Sequence, residues 1–252
     1  MPTKFFRFLL PMLQALKSTL KNIPIARRIA YAFLIWQKEN IIIDHGRHNK
    51  INAHGARLER NQIQIKGSNN FLYFAPGSSI QDCAIEIQGN NHILYIEEDV
   101  VMTQSLLWFE DHHCEIRIGK GTTMQRNGHI AVTEPNRKIL IGSSCMFSFD
   151  VDIRNGDSHT ILNIETGKRI NWAKNIQIGN HVWLGAYTQI LGGANIGGNS
   201  IIGIRSMVNG TIPPDSVAVG IPARVAKKGY TWDSQRTLDG DPGPDSIGNI
   251  PD

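Results

Sequence analysis

The chain has 252 residues, enough for one substantial domain with small appendages. A hydrophobic fraction of 41%, a charged fraction of 19% and a net charge of +4 exclude both a disordered chain and a strongly basic nucleic-acid-binding protein. The three cysteines form no CxxC pair, which favours reduced thiols over a disulfide framework. No apolar run approaches the roughly 20 residues that a membrane-spanning helix needs.

Residues 1–40 have a helical pattern in two pieces, Phe5–Asn22 and Ile25–Asn40, with Pro24 between them. Both pieces mix large apolar side chains with lysine and arginine. Two interpretations stay open: a helical cap over the end of the following domain, or a basic amphipathic segment that contacts a membrane surface. We expect the segment to be retained, because Pro11 interrupts its apolar stretch and no small-residue cleavage site follows.

The next hundred residues contain an imperfect repeat. Three related segments, each with isoleucines followed by a glycine, begin at Ile41, Ile63 and Ile85, 22 residues apart. Asparagine and glycine follow the isoleucines, and these residues tolerate a left-handed backbone at corners. The pattern predicts coils of a parallel β-helix, with further coils beginning at Ile116 and Ile139.

A shorter period then appears and is interrupted. From Ile141 to Ile153 an inward-type residue recurs every six positions, and the next position in that count is His159. The count from His159 to Ile178 is 19 residues, which is not a multiple of six. We therefore predict that Thr160–Lys174 leaves the helix as a loop, and such loops on rigid scaffolds often carry function.

The period of six is strict from Ile178 to Val208, and small or branched residues recur four positions after each aliphatic. A period of six fits neither the 3.6 of an α-helix nor the alternation of a strand, but it is typical of a hexapeptide β-helix. The sequence thus predicts an all-β protein with a parallel β-helix over residues 41–228. Residues 229–252, rich in Gly, Pro and Asp, are expected to form a mobile tail.

Four motifs carry a family resemblance: Asp157-Ser-His159, Thr166–Asn171, Ile178–Gly185 and Gly220–Arg224. Together they resemble the hexapeptide-repeat acyltransferases, and in particular the bacterial capsular polysaccharide and polysialic acid O-acetyltransferases. The resemblance implies a left-handed helix, a homotrimer with active sites between subunits, acetyl-CoA as donor and a sugar hydroxyl as acceptor. The reduced thiols favour a cytoplasmic location. The sequence departs from the family at Trp172, where relatives often carry proline, so the acceptor stays open.

His159 is our candidate general base, because an imidazole titrates near neutrality and a positioned base is worth about 10²- to 10⁴-fold in rate. Asp157 is expected to orient the ring or to act electrostatically. Trp183 lies 24 residues after His159, one 18-residue coil plus one six-residue side, and is expected to wall the pantetheine or sugar channel. A backbone N–H within Trp183–Gly185 is the candidate donor to the oxyanion.

The donor carries phosphates and a narrow pantetheine arm, so its site should combine cations with glycines that admit close approach. The last coils, where the resemblance implies that the nucleotide end of CoA binds, contain such residues, and no metal is expected. The candidate donor-binding residues are Trp183, Gly185, Ala186, Gly203, Arg205, Ser206, Pro222, Arg224, Lys227 and Lys228.

Three other functions stay open. The same base would serve an N-acetyltransferase acting on a nucleotide-linked amino sugar. A carbonic-anhydrase-like zinc site could draw on His112, His113, His129 and His181, although the family's His-x4-His pair is absent. A solenoid can also be a scaffold without chemistry.

Overall fold

Short β-strands stacked in successive coils make up residues 40–236, the residues that this computed structural model describes. These residues contain no helix, and therefore none that is long and apolar enough to span a membrane. The helical segment predicted for residues 1–40, with its cap and membrane interpretations, lies outside the described residues except for Asn40. The tail beyond residue 236 lies outside them as well.

Three sheets form the sides of the solenoid, and each coil contributes one strand to each sheet. Face A consists of β1 (Ile41–Asp44), β4 (Gln62–Lys66), β7 (Ala84–Gln88), β10 (Leu106–Phe109), β13 (His129–Val132), β16 (Asp152–Arg154), β19 (Gln189–Leu191) and β22 (Met207–Val208). Face B consists of β2 (Lys50–Asn52), β5 (Phe71–Phe74), β8 (Ile93–Ile96), β11 (Glu115–Ile118), β14 (Lys138–Ile141), β17 (Ile176–Ile178), β20 (Asn195–Ile196) and β23 (Thr211–Ile212). Face C consists of β3 (Arg57–Glu59), β6 (Ser79–Gln81), β9 (Val101–Thr103), β12 (Thr123–Met124), β15 (Met146–Phe147), β18 (Trp183–Leu184), β21 (Ile201–Ile202), β24 (Ser216–Gly220) and β25 (Ala223–Lys228).

Alternate residues of each strand point into the solenoid and stack in register from coil to coil. The inward column of face A is buried from Ile63 onward and runs through Ile85, Leu107, Ile130, Ile153, Ile190 and Val208. Burying each such side chain contributes about 1.5–3 kcal/mol relative to leaving it exposed. The six-residue series from Ile178 to Val208 is buried as well, which confirms the predicted parallel β-helix, while its left hand stays a prediction.

The corners between faces hold the backbone in the left-handed region. Asparagine occupies such positions between faces A and B at Asn69, Asn91 and Asn136, with φ between 59° and 64°. Gly89 lies close to the neighbouring coil, where a Cβ atom would come within 1.6 Å of the Asp111 carbonyl oxygen. Asparagine and glycine therefore stand at the corners for the predicted reason.

The last coils of the solenoid are shorter than the early ones. Equivalent corner residues on adjacent coils are 22 residues apart at Asn61 and Cys83, but 18 apart at His181 and Asn199. The early coils carry longer corners, which explains why the period of six is hidden in the first half of the sequence.

Two details of the predicted repeat are wrong. Ile42, and not Ile41, is the register partner of Ile63, because the first coil is 21 residues long, counted from Asn40 to Asn61. Ile116 and Ile139 pair with each other on face B, whereas Ile63 lies on face A. They therefore continue coils that begin earlier in the chain.

Cys83, Cys114 and Cys145 are buried free thiols at three different corners. One coil takes 22 residues from Cys83 to Ser105 and 23 residues from Thr122 to Cys145. Successive cysteines are more than one coil apart in sequence, so each lies on the next coil and at the next corner. Burial raises the pKa of Cys83 and of Cys114 to about 11, and it also raises the pKa of Cys145. These thiols are therefore protonated packing residues.

The final coil is closed by the antiparallel pair β24 and β25. Beyond it, the Gly229 and Tyr230 backbone N–H groups donate to the Asp215 carbonyl oxygen, at 2.7 and 3.0 Å. The Trp232 indole donates to the His181 carbonyl oxygen at 2.8 Å and stacks on the His181 ring, with centroids 4.3 Å apart. The described part of the predicted tail, residues 229–236, is therefore attached to the solenoid.

Candidate active site

A loop leaves the solenoid between β16 and β17, where the six-residue spacing breaks. Cys145 and Val182, on the coils that flank it, are 37 residues apart, against 18 for His181 and Asn199 on the following coils. The coil that carries the loop is therefore about twice as long as the next one. We call residues 156–174 the excursion loop. An antiparallel bridge between Leu162 and Arg169 makes its tip a small hairpin.

Two carboxylates of earlier coils hold the base of the excursion loop. Glu110 accepts a 2.6 Å hydrogen bond from the Ser158 hydroxyl on the outgoing limb. Glu134 forms an ion pair with Arg169 and accepts a 3.0 Å hydrogen bond from the Ala173 backbone N–H on the returning limb. Both limbs are thereby fixed to the rigid solenoid, as a catalytic loop requires.

Asn171 joins the two limbs to each other. Its side-chain amide donates to the Asp157 carboxylate at 2.8 Å and to the His159 carbonyl oxygen at 2.7 Å. Its amide oxygen accepts from the Ile161 backbone N–H at 2.8 Å. The backbone around His159 is therefore held by one side chain from the opposite limb.

His159 is exposed and lines a cleft of about 250 Å³ between the loop and the solenoid. Among residues 40–236 its imidazole has no hydrogen-bond partner, although its backbone carbonyl is bonded to Asn171. The ring is thus free to meet a substrate hydroxyl. The cleft is lined by Glu110, Asp111, Thr133, Glu134, Pro135, Ser158, His159, Thr160, Arg169 and Trp172.

Asp157 does not orient the His159 ring as we expected. Its carboxylate is bonded to Asn171, and it lines a second cleft of about 250 Å³ on the outer surface of face A. Both clefts include Thr133 and Ser158, so they adjoin at the base of the loop. We call the one containing His159 the loop cleft and the one containing Asp157 the face-A cleft.

Trp172, which follows Asn171 on the returning limb, forms a wall of the loop cleft. The Arg169 guanidinium lies 4.5 Å from the centre of the Trp172 ring, and the tryptophan is 60% exposed. A cation stacked on an indole is a favourable contact that also keeps the guanidinium accessible.

Trp183 lies in β18 on face C of the same coil, two strands after β16, the face-A strand from which the loop departs. Most of the residues between His159 and Trp183 belong to the loop, so the predicted count of one coil plus one side is wrong. Its ring is 37% exposed and lies 6.2 Å from the Trp232 ring.

Two predicted oxyanion donors are already bonded. The backbone N–H groups of Trp183 and Gly185 donate to the carbonyl oxygens of Ser200 and Ile202, at 2.9 and 2.8 Å, in the ladder of face C. The expectation that one of these two groups stabilises an oxyanion is therefore wrong.

The candidate donor-binding residues fall into a buried and an exposed group. Ala186 and Ser206 are buried, and Ser206 accepts a 3.0 Å hydrogen bond from the Gly220 backbone N–H. A Cβ atom on Gly185 would lie 2.7 Å from the Ile204 backbone nitrogen, and one on Gly203 would lie 2.7 Å from Val219. Coil packing therefore explains both glycines without a ligand.

The exposed group lies on the last coil and on the closing hairpin. It consists of Arg205, Pro222, Arg224, Lys227 and Lys228. Arg205 stacks over Tyr187 at 4.9 Å, and Lys227 over Tyr230 at 5.4 Å. Neither these two cations nor Arg224 and Lys228 form an ion pair within residues 40–236, so all four can meet an anion.

A polar cluster that the sequence analysis did not find lies in the face-A cleft. His129 Nδ1 lies 3.0 Å from the Asp152 carboxylate, which also pairs with Arg154 at 2.9 Å. Burial raises the pKa of Asp152, but the hydrogen bonds from His129 and Arg154 outweigh burial and lower it, so the carboxylate is ionised. His129 and Asp152 are 23 residues apart, one coil at this point, and that spacing was the available signal.

No group of three or more His, Cys, Asp or Glu side chains within residues 40–236 is arranged to hold a metal ion. A zinc site of the carbonic-anhydrase kind would therefore need histidines from more than one subunit.

Comparison with known proteins finds close relatives, although no family model matches the chain. The polysialic acid O-acetyltransferase of Neisseria meningitidis is 36% identical over 151 residues, which cover 60% of this chain and 69% of that protein. The crystal structure of the polySia-specific acetyltransferase NeuO superposes with a TM-score of 0.72 at 28% identity, covering 81% of this chain and 86% of that one. The polysialic acid O-acetyltransferase OatWY gives a TM-score of 0.71 at 30% identity, covering 83% and 98%.

A three-sided parallel solenoid with these neighbours defines a hexapeptide-repeat acyltransferase, as the sequence motifs predicted. Within that class, the chain belongs to the family of the polysialic acid O-acetyltransferases.

Proposed function

We propose that the protein transfers an acetyl group from acetyl-CoA to a sugar hydroxyl of a capsular or surface polysaccharide. The names of its relatives make polysialic acid the first acceptor to test. The observation that carries the proposal is the unpartnered His159 imidazole at the base of a loop whose two limbs are fixed to the solenoid, within the part of the chain that the structure describes.

In the proposed reaction the neutral His159 imidazole takes the proton of the acceptor hydroxyl while the hydroxyl oxygen attacks the thioester carbonyl carbon. The C–S bond then breaks, and the sulfur of CoA leaves with the proton returned from the imidazolium. No covalent enzyme intermediate is needed, and the three buried thiols take no part.

The donor would lie along the last coils. Arg205, Arg224, Lys227 and Lys228 are exposed cations without carboxylate partners among the described residues, suited to the phosphates of CoA. The exposed face of Trp183 would wall the pantetheine arm.

A complete site would need more than one copy of the chain, which supports a homotrimer. His159 follows β16 on face A, whereas Trp183 lies on face C of the same coil, on a different side of the solenoid. The excursion loop also exposes large apolar side chains, with Ile164 99% and Ile170 64% accessible. Such residues are best covered by a neighbouring protomer.

The proposed donor would locate the reaction in the cytoplasm. The basic composition of residues 1–40 supports an additional peripheral contact with the inner face of the membrane.

The direct test is to incubate the purified chain with acetyl-CoA and polysialic acid, then measure thiol release and the glycan mass. We expect free CoA to form in step with a glycan mass gain of one acetyl group, removable by mild base as an ester is. Base-stable acetylation of a nucleotide-linked amino sugar would instead support the N-acetyltransferase. Bound zinc with carbon dioxide hydration would support the anhydrase, and the absence of CoA binding by calorimetry would leave a scaffold.

A further inference from the structure

The face-A cleft has the construction of a sugar-binding subsite. Two outward columns of face A form it, one through Leu106, His129 and Asp152 and the other through Trp108, Ala131 and Arg154. Ala131 stands between the large side chains of Trp108 and Arg154, and its small methyl group leaves a gap between them. That gap is the floor of the cleft.

The walls of the cleft are fixed. The Trp108 indole donates a 2.9 Å hydrogen bond to Glu110, the carboxylate that also holds Ser158 of the excursion loop. The Arg154 guanidinium donates through Nε and Nη2 to Asp152, and its Nη1 makes none of these bonds. An aromatic plane and a guanidinium are therefore held on either side of an open floor.

His129 adds a polar group with a defined orientation. Its Nδ1 lies 3.0 Å from the ionised Asp152 carboxylate and farther, at 3.3 Å, from Arg154 Nη2. The closer carboxylate favours the tautomer in which Nδ1 carries the proton and donates, and Nε2 is left for a ligand. A hydroxylated ring needs this combination of one apolar plane and a few fixed polar groups around its edge.

The position of the cleft connects it with the proposed chemistry. Thr133 and Ser158 line both clefts, and Ser158 directly precedes His159. A glycan chain with one sugar at His159 would therefore extend its neighbouring sugar towards face A.

We propose that the face-A cleft binds the sugar unit adjacent to the one that is acetylated, with the ring over Trp108 and its polar edge against His129 and Arg154. This inference rests on the proposed function for its ligand class, a pyranose of an acceptor glycan. It assigns specificity for a polymer to residues outside the loop cleft.

The test is calorimetric titration of the full chain with an oligomer of sialic acid, together with acetylation kinetics on the same variants. Ala131→Leu fills the floor without removing a polar group, and Arg154→Met removes the guanidinium. We expect each to weaken oligomer binding and to raise the acceptor KM on the order of tenfold, with the acetyl-CoA KM unchanged. The matched control is Gln64→Leu, which adds an apolar side chain to the same outward column on an earlier coil.

The outcomes separate this inference from the proposed function. If wild type acetylates polysialic acid and folded Ala131→Leu and Arg154→Met bind the oligomer as wild type does, the subsite assignment is overturned. If wild type transfers no acetyl group but binds the oligomer, and both variants lose that binding, the subsite stands and the proposed function falls. Should Ala131→Leu fail to fold, Ala131→Ser is expected to bind normally and Arg154→Met decides.

Discussion

The Ser158 hydroxyl donates a 2.6 Å hydrogen bond to the Glu110 carboxylate, across 48 residues of sequence. Glu110 also accepts from the Thr133 hydroxyl at 2.9 Å and from the Trp108 indole at 2.9 Å. One carboxylate thus positions the residue before the candidate base and the aromatic wall of the adjoining cleft.

Replacing Glu110 with glutamine should therefore impair catalysis more than stability. A glutamine side chain offers one acceptor oxygen in place of two, so Ser158 loses its fixed position and His159 moves with it. Misplacement by about 1 Å can cost on the order of 100-fold in rate, and we expect kcat to fall by at least tenfold. Steady-state kinetics check this, with Glu98→Gln as control because Glu98 pairs with Lys120 on the surface of the early coils. An unchanged kcat would mean that the loop is positioned by other contacts.

Reversing charge at the end of the solenoid should weaken donor binding alone. In Arg224→Glu/Lys228→Glu two exposed cations become anions near the proposed phosphates. Exposed ion pairs contribute up to about 1 kcal/mol each, so we expect the acetyl-CoA KM to rise by roughly tenfold or more. The acceptor KM and the melting temperature should not change. Lys50→Glu/Lys66→Glu, on the early coils, is the matched control, and an equal effect there would point to net charge instead.

Glu115 gives the stability a defined pH dependence. Burial raises its pKa, but Lys138 at 2.7 Å and Arg117 at 2.9 Å outweigh burial and lower it. A carboxyl whose folded pKa is depressed stabilises the fold above its unfolded pKa of about 4.3 and loses that contribution as pH falls through the folded value. Glu115→Gln should therefore melt at lower temperature than wild type at pH 7, and the difference should shrink in thermal melts as pH falls below about 4.3. A difference that persists unchanged in acid would contradict the ion-pair explanation.

The cysteines should be inert in the native protein. All three are buried, and the raised pKa of each thiol leaves almost no thiolate at pH 8. We expect an aromatic disulfide reagent to label no thiol within minutes in buffer and all three in denaturant. Prior treatment with an alkylating reagent should leave transferase activity unchanged. Rapid native labelling with loss of activity would overturn the direct-transfer mechanism.

The repeated coils made the solenoid predictable from the sequence. The contacts that position the candidate site were not predictable in the same way. The period from Ile178 to Val208 reports inward columns, because each coil repeats the same three sides. The loop was visible as a break at His159, but its anchors were not. Glu110 and Glu134 come from earlier coils, and nothing near His159 in the sequence identifies them.

The errors at the site share one cause. Asp157 and His159 are close in sequence, yet Asn171 from the far limb takes the Asp157 carboxylate. The count to Trp183 fails because the loop contributes residues without advancing the coil. Spacing rules hold only while the chain stays in the solenoid, and the candidate base lies where it leaves.

The central claim is that His159 is the general base of acetyl transfer, and His159→Asn tests it most directly. Because the ring makes no hydrogen bond within residues 40–236, the variant should melt as wild type does and bind acetyl-CoA normally. His113→Asn, an exposed corner histidine, is the control. With acetyl-CoA and polysialic acid at saturation, we expect kcat to fall by about 10²- to 10⁴-fold in His159→Asn and to be unchanged in the control. A folded His159→Asn protein that acetylates the glycan at the wild-type rate would contradict the claim.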